Sequence, residues 1–321
     1  MTGHLLSIKN LKVRFQTPEG VIDAVRGIDL DIAAGERLAI VGESGSGKSQ
    51  LFNALLGLLA DNGSTEGEAW FDKTDLLQCN TARLNQIRGN RISMIFQDPM
   101  TSLNPYLRIG QQLTEVLRQH HRVSRKQARE AAIDMLEKVQ LPEARQRMKA
   151  YPHQLSGGMR QRVMIAMAML CNPKLLIADE PTTALDVTIQ AEILTLLRGL
   201  ATGHALSIIT HDLSLVAGLC DRVVVMYAGQ IIETAPVESI FHHSAHPYTL
   251  GLLRATPNQQ ADRTQPLYTI PGQPPDPGRI PAGCAFHPRC ESAREACRQQ
   301  QPSLREVAPG HCTACLFPPA P

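Results

Sequence analysis

Residues 42–49 read GESGSGKS, and this octet constrains the fold more than any other stretch. It follows "GERLAIVG", a short apolar run, and leads into "KSQLFNALLGLL", where apolar residues recur at helical spacing. An apolar strand that ends in glycines and passes straight into a helix suits a buried sheet. The glycines let backbone N–H groups curl around an anion, and the helix N-terminus adds a partial positive charge. The match to G-x-x-x-x-G-K-[ST] in this strand–loop–helix context predicts a phosphate-binding loop. Gly42, Glu43, Ser44, Gly45, Ser46 and Gly47 form the cradle. Lys48 reaches the β- and γ-phosphates, and Ser49 offers a hydroxyl to Mg²⁺.

Further along, "LLIADE" (175–180) is an apolar strand ending in two carboxylates. Asp179 can hold Mg²⁺ directly or through water, and Glu180 can polarise an attacking water. "LLSIKNLKVRFQ" alternates as a strand, "ALSIITHD" reads as a buried strand, and "DRVVVMYAGQIIETA" as two strands around a turn at Gly229. "SRKQAREAAIDMLEKVQL" (124–141) and "SGGMRQRVMIAMAMLC" (156–171) read as helices, the second capped by Ser156. Strands alternating with helices predict a parallel α/β sheet.

Lys+Arg 32 against Asp+Glu 30 leaves a net charge of +2, too balanced for binding nucleic acid by bulk charge. No stretch approaches the roughly 20 uninterrupted apolar residues of a membrane span. Lys9, Lys12 and Arg14 interrupt any apolar signal core near the start, which predicts a cytoplasmic chain. Composition then shifts near residue 251. Residues 251–321 contain 13 of the 22 prolines, 5 of the 8 cysteines and no lysine. Such a segment predicts an appended extension poor in regular structure, with too little apolar surface for a large core. In a reducing compartment its clustered cysteines point to metal more than to disulfides. Cys79, Cys171 and Cys220 lie in apolar or helical surroundings and read as inert.

Between the phosphate loop and the acidic strand lies "LSGGMRQRV" (155–163). This order resembles the ATP-binding cassette (ABC) ATPases. Gln97 in "MIFQDP" matches the family's Q-loop, Ala184, Leu185 and Asp186 its D-loop, and His211 in "IITHDL" its switch histidine. Phe15 lies where the family places an aromatic against adenine. The resemblance implies a P-loop ATPase with a RecA-like core, an antiparallel β subdomain and a helical signature subdomain over about 98–168. It implies a nucleotide-binding domain over 1–250 and an extension over 251–321. It also implies that Gln97 joins Ser49 and Asp179 around Mg²⁺, that His211 contacts the γ-phosphate, and that Ser156, Gly157, Gly158 and Asp186 serve a nucleotide shared with a second ATPase subunit.

"FQDPMTSLNPYLRIGQQLTEVL", "HPYTLGLLRATP" and "IPGQPPDP" are similar to the ATP-binding subunits of dipeptide and oligopeptide importers, whose pattern nickel and metallophore importers share. The implied partners are a different but related ATPase subunit, two membrane permease subunits and an extracytoplasmic binding protein, with no nucleic acid. The chain would sit peripherally on the cytoplasmic face of the inner membrane. In D-type subunits a tail of this form holds a [4Fe–4S] cluster, here through Cys284, Cys290, Cys297 and Cys315. Spacing alone leaves zinc equally open, and Cys312 is a fifth thiol that could replace Cys315. Rival readings are a nickel-importer ATPase, a soluble ABC ATPase of DNA repair or translation, and a non-catalytic nucleotide sensor. Intact Glu180 and His211 disfavour the last.

Overall fold

The computed structural model describes residues 3–183, 185–256 and 268–319. The chain divides into two compact units. One comprises Met1–Ile32, Arg37–Gln78 and Thr210–Pro321, the other Ala33–Glu36 and Cys79–Ile209.

The first unit opens with β1 (His4–Thr17), β2 (Gly20–Ala33), β3 (Arg37–Val41), α1 (Lys48–Leu55), β4 (Gly63–Phe71) and β5 (Thr74–Asp75). Four of these strands form a sheet in the order β2-β1-β4-β5. β1 buries Leu6 and Ile8, then Leu11 and Val13. The buried set changes from even to odd positions across a register shift between Lys9 and Lys12, where Asn10 adopts φ +46°. One extra residue flips every later side chain to the opposite face, so the bulge keeps both halves of the strand facing the core.

The second unit holds α2 (Thr81–Ile87), β6 (Ile92–Ile95), α3 (Pro99–Ser102), α4 (Ile109–His120), α5 (Arg125–Lys138), α6 (Ala144–Arg147), α7 (Gly157–Met169), β7 (Leu175–Asp179), α8 (Val187–Leu200) and β8 (Ala205–Thr210). β6, β7 and β8 run parallel. Every residue of β7 and β8 is buried, as expected for strands covered on both faces. α7 packs against α3, α4, α5, α8 and β6. Its Arg162 donates to the Val139 carbonyl at 2.8 Å and to Glu192 at 2.6 Å, which satisfies a buried cation. α5 begins with a capping box in which Ser124 Oγ accepts the Gln127 N–H. Both helices expected from the sequence form.

The first unit resumes with β9 (Arg222–Tyr227), β10 (Gln230–Pro236), α9 (Val237–His243), α10 (Pro247–Ala255), α11 (Glu295–Gln299), β11 (Arg305–Ala308) and β12 (His311–Thr313). β9 pairs with β3 in parallel, but β10, β12 and β11 add antiparallel neighbours. The sheet is thus mixed: parallel between β3 and β9, and antiparallel beyond the turn expected at Gly229. Ala228 and Gly229 join β9 to β10, and a two-residue connection permits only an antiparallel return. Among the described residues, 268–319 are mostly turns and irregular backbone, and they are tied into this sheet through β12, with Glu233 opposite Thr313 and Thr234 opposite Cys312. Beneath that pairing the buried Glu233 carboxylate accepts the Ala245 N–H at 2.5 Å and lies 2.7 Å from His311 Nε2. Among the described residues no helix is long and apolar enough to cross a membrane.

Candidate nucleotide site and cysteine cavity

β3 delivers the chain to Gly42, where a Cβ would lie 2.3 Å from the Met226 carbonyl oxygen. Gly47 caps α1 at φ +96°, and a Cβ there would meet the Ala24 carbonyl oxygen at 2.3 Å. Both positions therefore exclude a side chain, Gly47 for its left-handed backbone as well. Lys48, itself buried, donates to the Gly42 carbonyl at 2.7 Å and the Glu43 carbonyl at 2.9 Å. The Gly229 N–H donates to the Ser46 carbonyl at 3.1 Å, so the β9–β10 turn supports the loop. Ser46 Oγ is buried with no hydrogen-bond partner among the described residues, and no side chain caps α1. An orphaned hydroxyl beside uncapped helix N–H groups suits an anionic ligand. Ser49 lies half-buried in the first turn of α1, and Ser44 and Gly45 are exposed. Phe15 is half-buried on β1 opposite Gly63. His211 directly follows β8 and is exposed.

Glu43 is held from three sides. Its N–H donates to the Tyr248 hydroxyl at 2.8 Å. Its carboxylate accepts both terminal nitrogens of Arg289, at 2.6 and 3.0 Å, and its carbonyl accepts Lys48. Tyr248 and Arg289 were not legible as site residues. Tyr248 reads as one apolar position of a helix, and Arg289 as one charge between two cysteines.

In the second unit, Asp179 is buried at the end of β7. Glu180 follows at φ +44°, a left-handed backbone that costs about 1–3 kcal/mol in a residue with a Cβ. Its N–H donates to the Ile209 carbonyl at 2.9 Å. Its carboxylate accepts Gln97 Nε2 at 3.0 Å and Thr183 Oγ1 at 2.9 Å. Two predicted residues 83 positions apart are thus in direct contact, and Thr183 is a further partner that no spacing pattern marked. Ser156 Oγ accepts the Met159 N–H at 3.3 Å and caps α7, as expected. Gly157 and Gly158 open that helix, and a Cβ on Gly158 would lie 3.0 Å from Ile189 Cγ2. Asp186 caps α8 by accepting the Ile189 N–H at 3.0 Å. Ala184 lies outside the described residues.

Cys284, Cys290, Cys297 and Cys315 line one cavity with His246, Phe286 and His287, and Cys312 is not part of that lining. Burial pushes the Cys315 thiol up to about 11, and Cys284 and Cys290 shift the same way from the same cause, with neighbouring thiols adding to each. Opposing this, the backbone N–H of Phe286, Ser292 and Phe317 faces the sulfur two residues earlier in each case. Among the described residues no group of three or more His, Cys, Asp or Glu side chains forms a set able to hold a metal ion. Cys171 and Cys220 are buried, with thiols pushed up to about 11 and about 12, whereas Cys79 is only half-buried.

A family model described as "ABC transporter" matches residues 25–183, and one described as "Oligopeptide/dipeptide transporter, C-terminal region" matches residues 232–297. The chain is 54% identical to the oligopeptide transport ATP-binding protein OppD of Escherichia coli (strain K12) over 316 residues, 98% of this chain and 93% of that protein. It is 49% identical to the oligopeptide transport ATP-binding protein AppD of Bacillus subtilis (strain 168), over 98% of this chain and 96% of that one. Among solved structures, it is similar to the ATP-binding cassette MJ0796 in a dimeric post-hydrolysis state bound to ADP and Pi. That match has a TM-score of 0.65 and 31% identity and covers 72% of this chain and 98% of that one. It also resembles cbiO1 of Clostridium perfringens, part of the ABC transporter complex cbiONQ, with a TM-score of 0.63 and 28% identity over 75% of this chain and 92% of that one. The loop at residues 42–49, the acidic end of β7 and these near-full-length matches converge, and the chain belongs to the ABC ATPases, in the branch of oligopeptide transport ATP-binding proteins.

Proposed function

We propose that this chain hydrolyses MgATP as one of two ATPase subunits of an importer for oligopeptides. Peptides are favoured over nickel or metallophores because the similar proteins named above are oligopeptide transport subunits. The observation that carries the hydrolytic role is Glu180, held in a left-handed backbone with its carboxylate fixed by Gln97 and Thr183. Strain maintained by surrounding hydrogen bonds is a mark of a working residue.

In this reading the backbone of residues 42–47 and Lys48 bind the phosphates, and Phe15 stacks on the adenine. Ser49 and Asp179 hold Mg²⁺ together with Gln97. Glu180 orients the attacking water and accepts its proton, and His211 contacts the γ-phosphate. Ser156, Gly157 and Gly158 face the nucleotide held by the partner ATPase, with Asp186 beside that interface. The partners are a related second ATPase, two permease subunits and an extracytoplasmic binding protein, and the chain works peripherally at the cytoplasmic face of the membrane. The cassette spans residues 1–250, with its helical part over about 98–168.

The extension over 251–321 is assigned a [4Fe–4S] cluster, with zinc as the chemical alternative, held by Cys284, Cys290, Cys297 and Cys315. Support comes from four thiols lining one cavity and from backbone N–H groups facing three of the sulfurs. Such a centre would cross-link a segment with little apolar surface of its own.

Glu180→Gln tests the hydrolytic role in the assembled transporter. MgATP affinity should persist and turnover should fall by at least about 10²-fold. Turnover near that of the unmodified protein would remove Glu180 from the mechanism.

A further inference from the structure

Arg289 of the C-terminal extension reaches the phosphate loop. Arg289 ends the single helical turn His287–Arg289, immediately before Cys290. Its side chain is 4% exposed. The guanidinium forks onto Glu43, with Nη1 at 2.6 Å and Nη2 at 3.0 Å from the two carboxylate oxygens. Nε donates to the Pro271 carbonyl at 2.9 Å, and Nη1 lies 3.4 Å from the Tyr227 hydroxyl. The rings of Tyr227 and Phe286 flank the cation at 6.0 and 5.9 Å. Glu43 in turn accepts Lys48 Nζ on its carbonyl, so a continuous polar path runs from the extension to the lysine of the loop. Phe286 and Cys290, which flank this turn, line the four-thiol cavity.

A carboxylate in the loop's second position is a liability where a polyanion binds, because like charges repel in a partly desolvated site. A planar, bidentate arginine neutralises it and fixes its direction at once, which a lysine cannot do. We propose that Arg289 is a positioning residue of the phosphate loop: by neutralising and orienting Glu43 it makes MgATP affinity depend on the folded C-terminal extension. The inference rests on residues 42–49 binding the phosphates. Coupling of this kind is reciprocal, so MgATP must stabilise the extension by the same factor.

Equilibrium titration of the full chain with MgATP tests this, using Arg289→Met, Arg289→Lys, Glu43→Gln and the double variant Arg289→Met/Glu43→Gln, with Lys48→Ala alongside. Arg289→Met exposes the loop to an unpaired carboxylate and should weaken MgATP binding about tenfold, with Arg289→Lys intermediate. Adding Glu43→Gln removes that carboxylate and should restore most of the affinity. A purely structural arginine would give no such rescue. As an activity-free readout, MgATP should slow proteolysis within residues 268–319 of the unmodified chain, and this protection should be lost in Arg289→Met. If Arg289→Met fails to fold, Arg289→Lys and Glu43→Gln still report the coupling through the same two measurements. The proposal is overturned if Lys48→Ala loses MgATP while Arg289→Met stays within about twofold of the unmodified chain, or if the double variant binds as weakly as Arg289→Met. Unchanged MgATP affinity in Lys48→Ala would instead overturn the reading of the loop itself.

Discussion

The pairing of β12 with β10 rests on a buried polar contact whose loss can be worked through. Glu233 is 0% exposed and His311 4%. One Glu233 carboxylate oxygen serves two partners, the Ala245 N–H and His311 Nε2. Glu233→Ala removes both acceptor contacts and leaves two buried polar groups unsatisfied, at about 1–3 kcal/mol each. The expected loss is therefore about 2–6 kcal/mol. Glu233→Gln keeps a carbonyl oxygen for the Ala245 N–H and should cost less, about 1–2 kcal/mol. β12 is three residues long and among the described residues its other strand neighbour is the exposed β11, so the loss should fall first on the extension. Hydrogen exchange separates local from global effects. The Ala314 N–H, which donates to the Ile232 carbonyl at 2.7 Å, should exchange faster in Glu233→Ala by about the factor equivalent to that free energy. Amides of β7 and β8 should change far less. Exchange at Ala314 and urea stability both within about 0.5 kcal/mol of the unmodified chain, the ordinary range for a surface substitution, would refute this account of how the extension docks.

Acid should find a second weak point at His246, which burial drives down to about 3 from an ordinary value near 6.5. The folded state then binds fewer protons than the unfolded one between those values. Stability is fully present above about pH 6.5 and falls by about 1.4 kcal/mol per pH unit towards pH 3. His246→Asn keeps an acceptor for the Tyr248 N–H and should flatten that slope in urea titrations at pH 5–7, and an unchanged slope would show that His246 is not the responsible group. The cysteines give a further test. Serine at Cys284, Cys290, Cys297 or Cys315 should abolish iron and sulfide in anaerobically purified protein, with four of each expected per chain for a Cys₄-held cubane. Cys312→Ser, outside the cavity lining, should retain them. Stoichiometric zinc under iron-replete expression, or metal loss on Cys312→Ser alone, would contradict the assignment.

Local order was legible wherever a single segment contains its own reason. The glycines at 42–47, the apolar runs of β3, β7 and β8, the cap at Ser156 and the turn at Gly229 each follow from neighbouring residues in the chain. The same holds for Glu180 as the residue after a buried strand's last carboxylate. Nothing local shows that Gln97 lies against Glu180, that Thr183 supports it, or that Arg289 crosses 246 positions to hold Glu43. A charged side chain finds its partner by burial and by the order in which strands pair, and neither is written in spacing. The sheet gives the clearest case. The two strands around the turn at Gly229 were legible, but the pairing of β10 with a strand from the cysteine-rich extension, which completed an antiparallel flank, was not. Sequence determined which segments could be strands, and marked the glycine loop at residues 42–49 and the carboxylates that end β7 as candidate site residues. Tertiary structure decided which strand satisfied the edge of β10, because that choice depended on unpaired backbone groups that only exist once the sheet has formed.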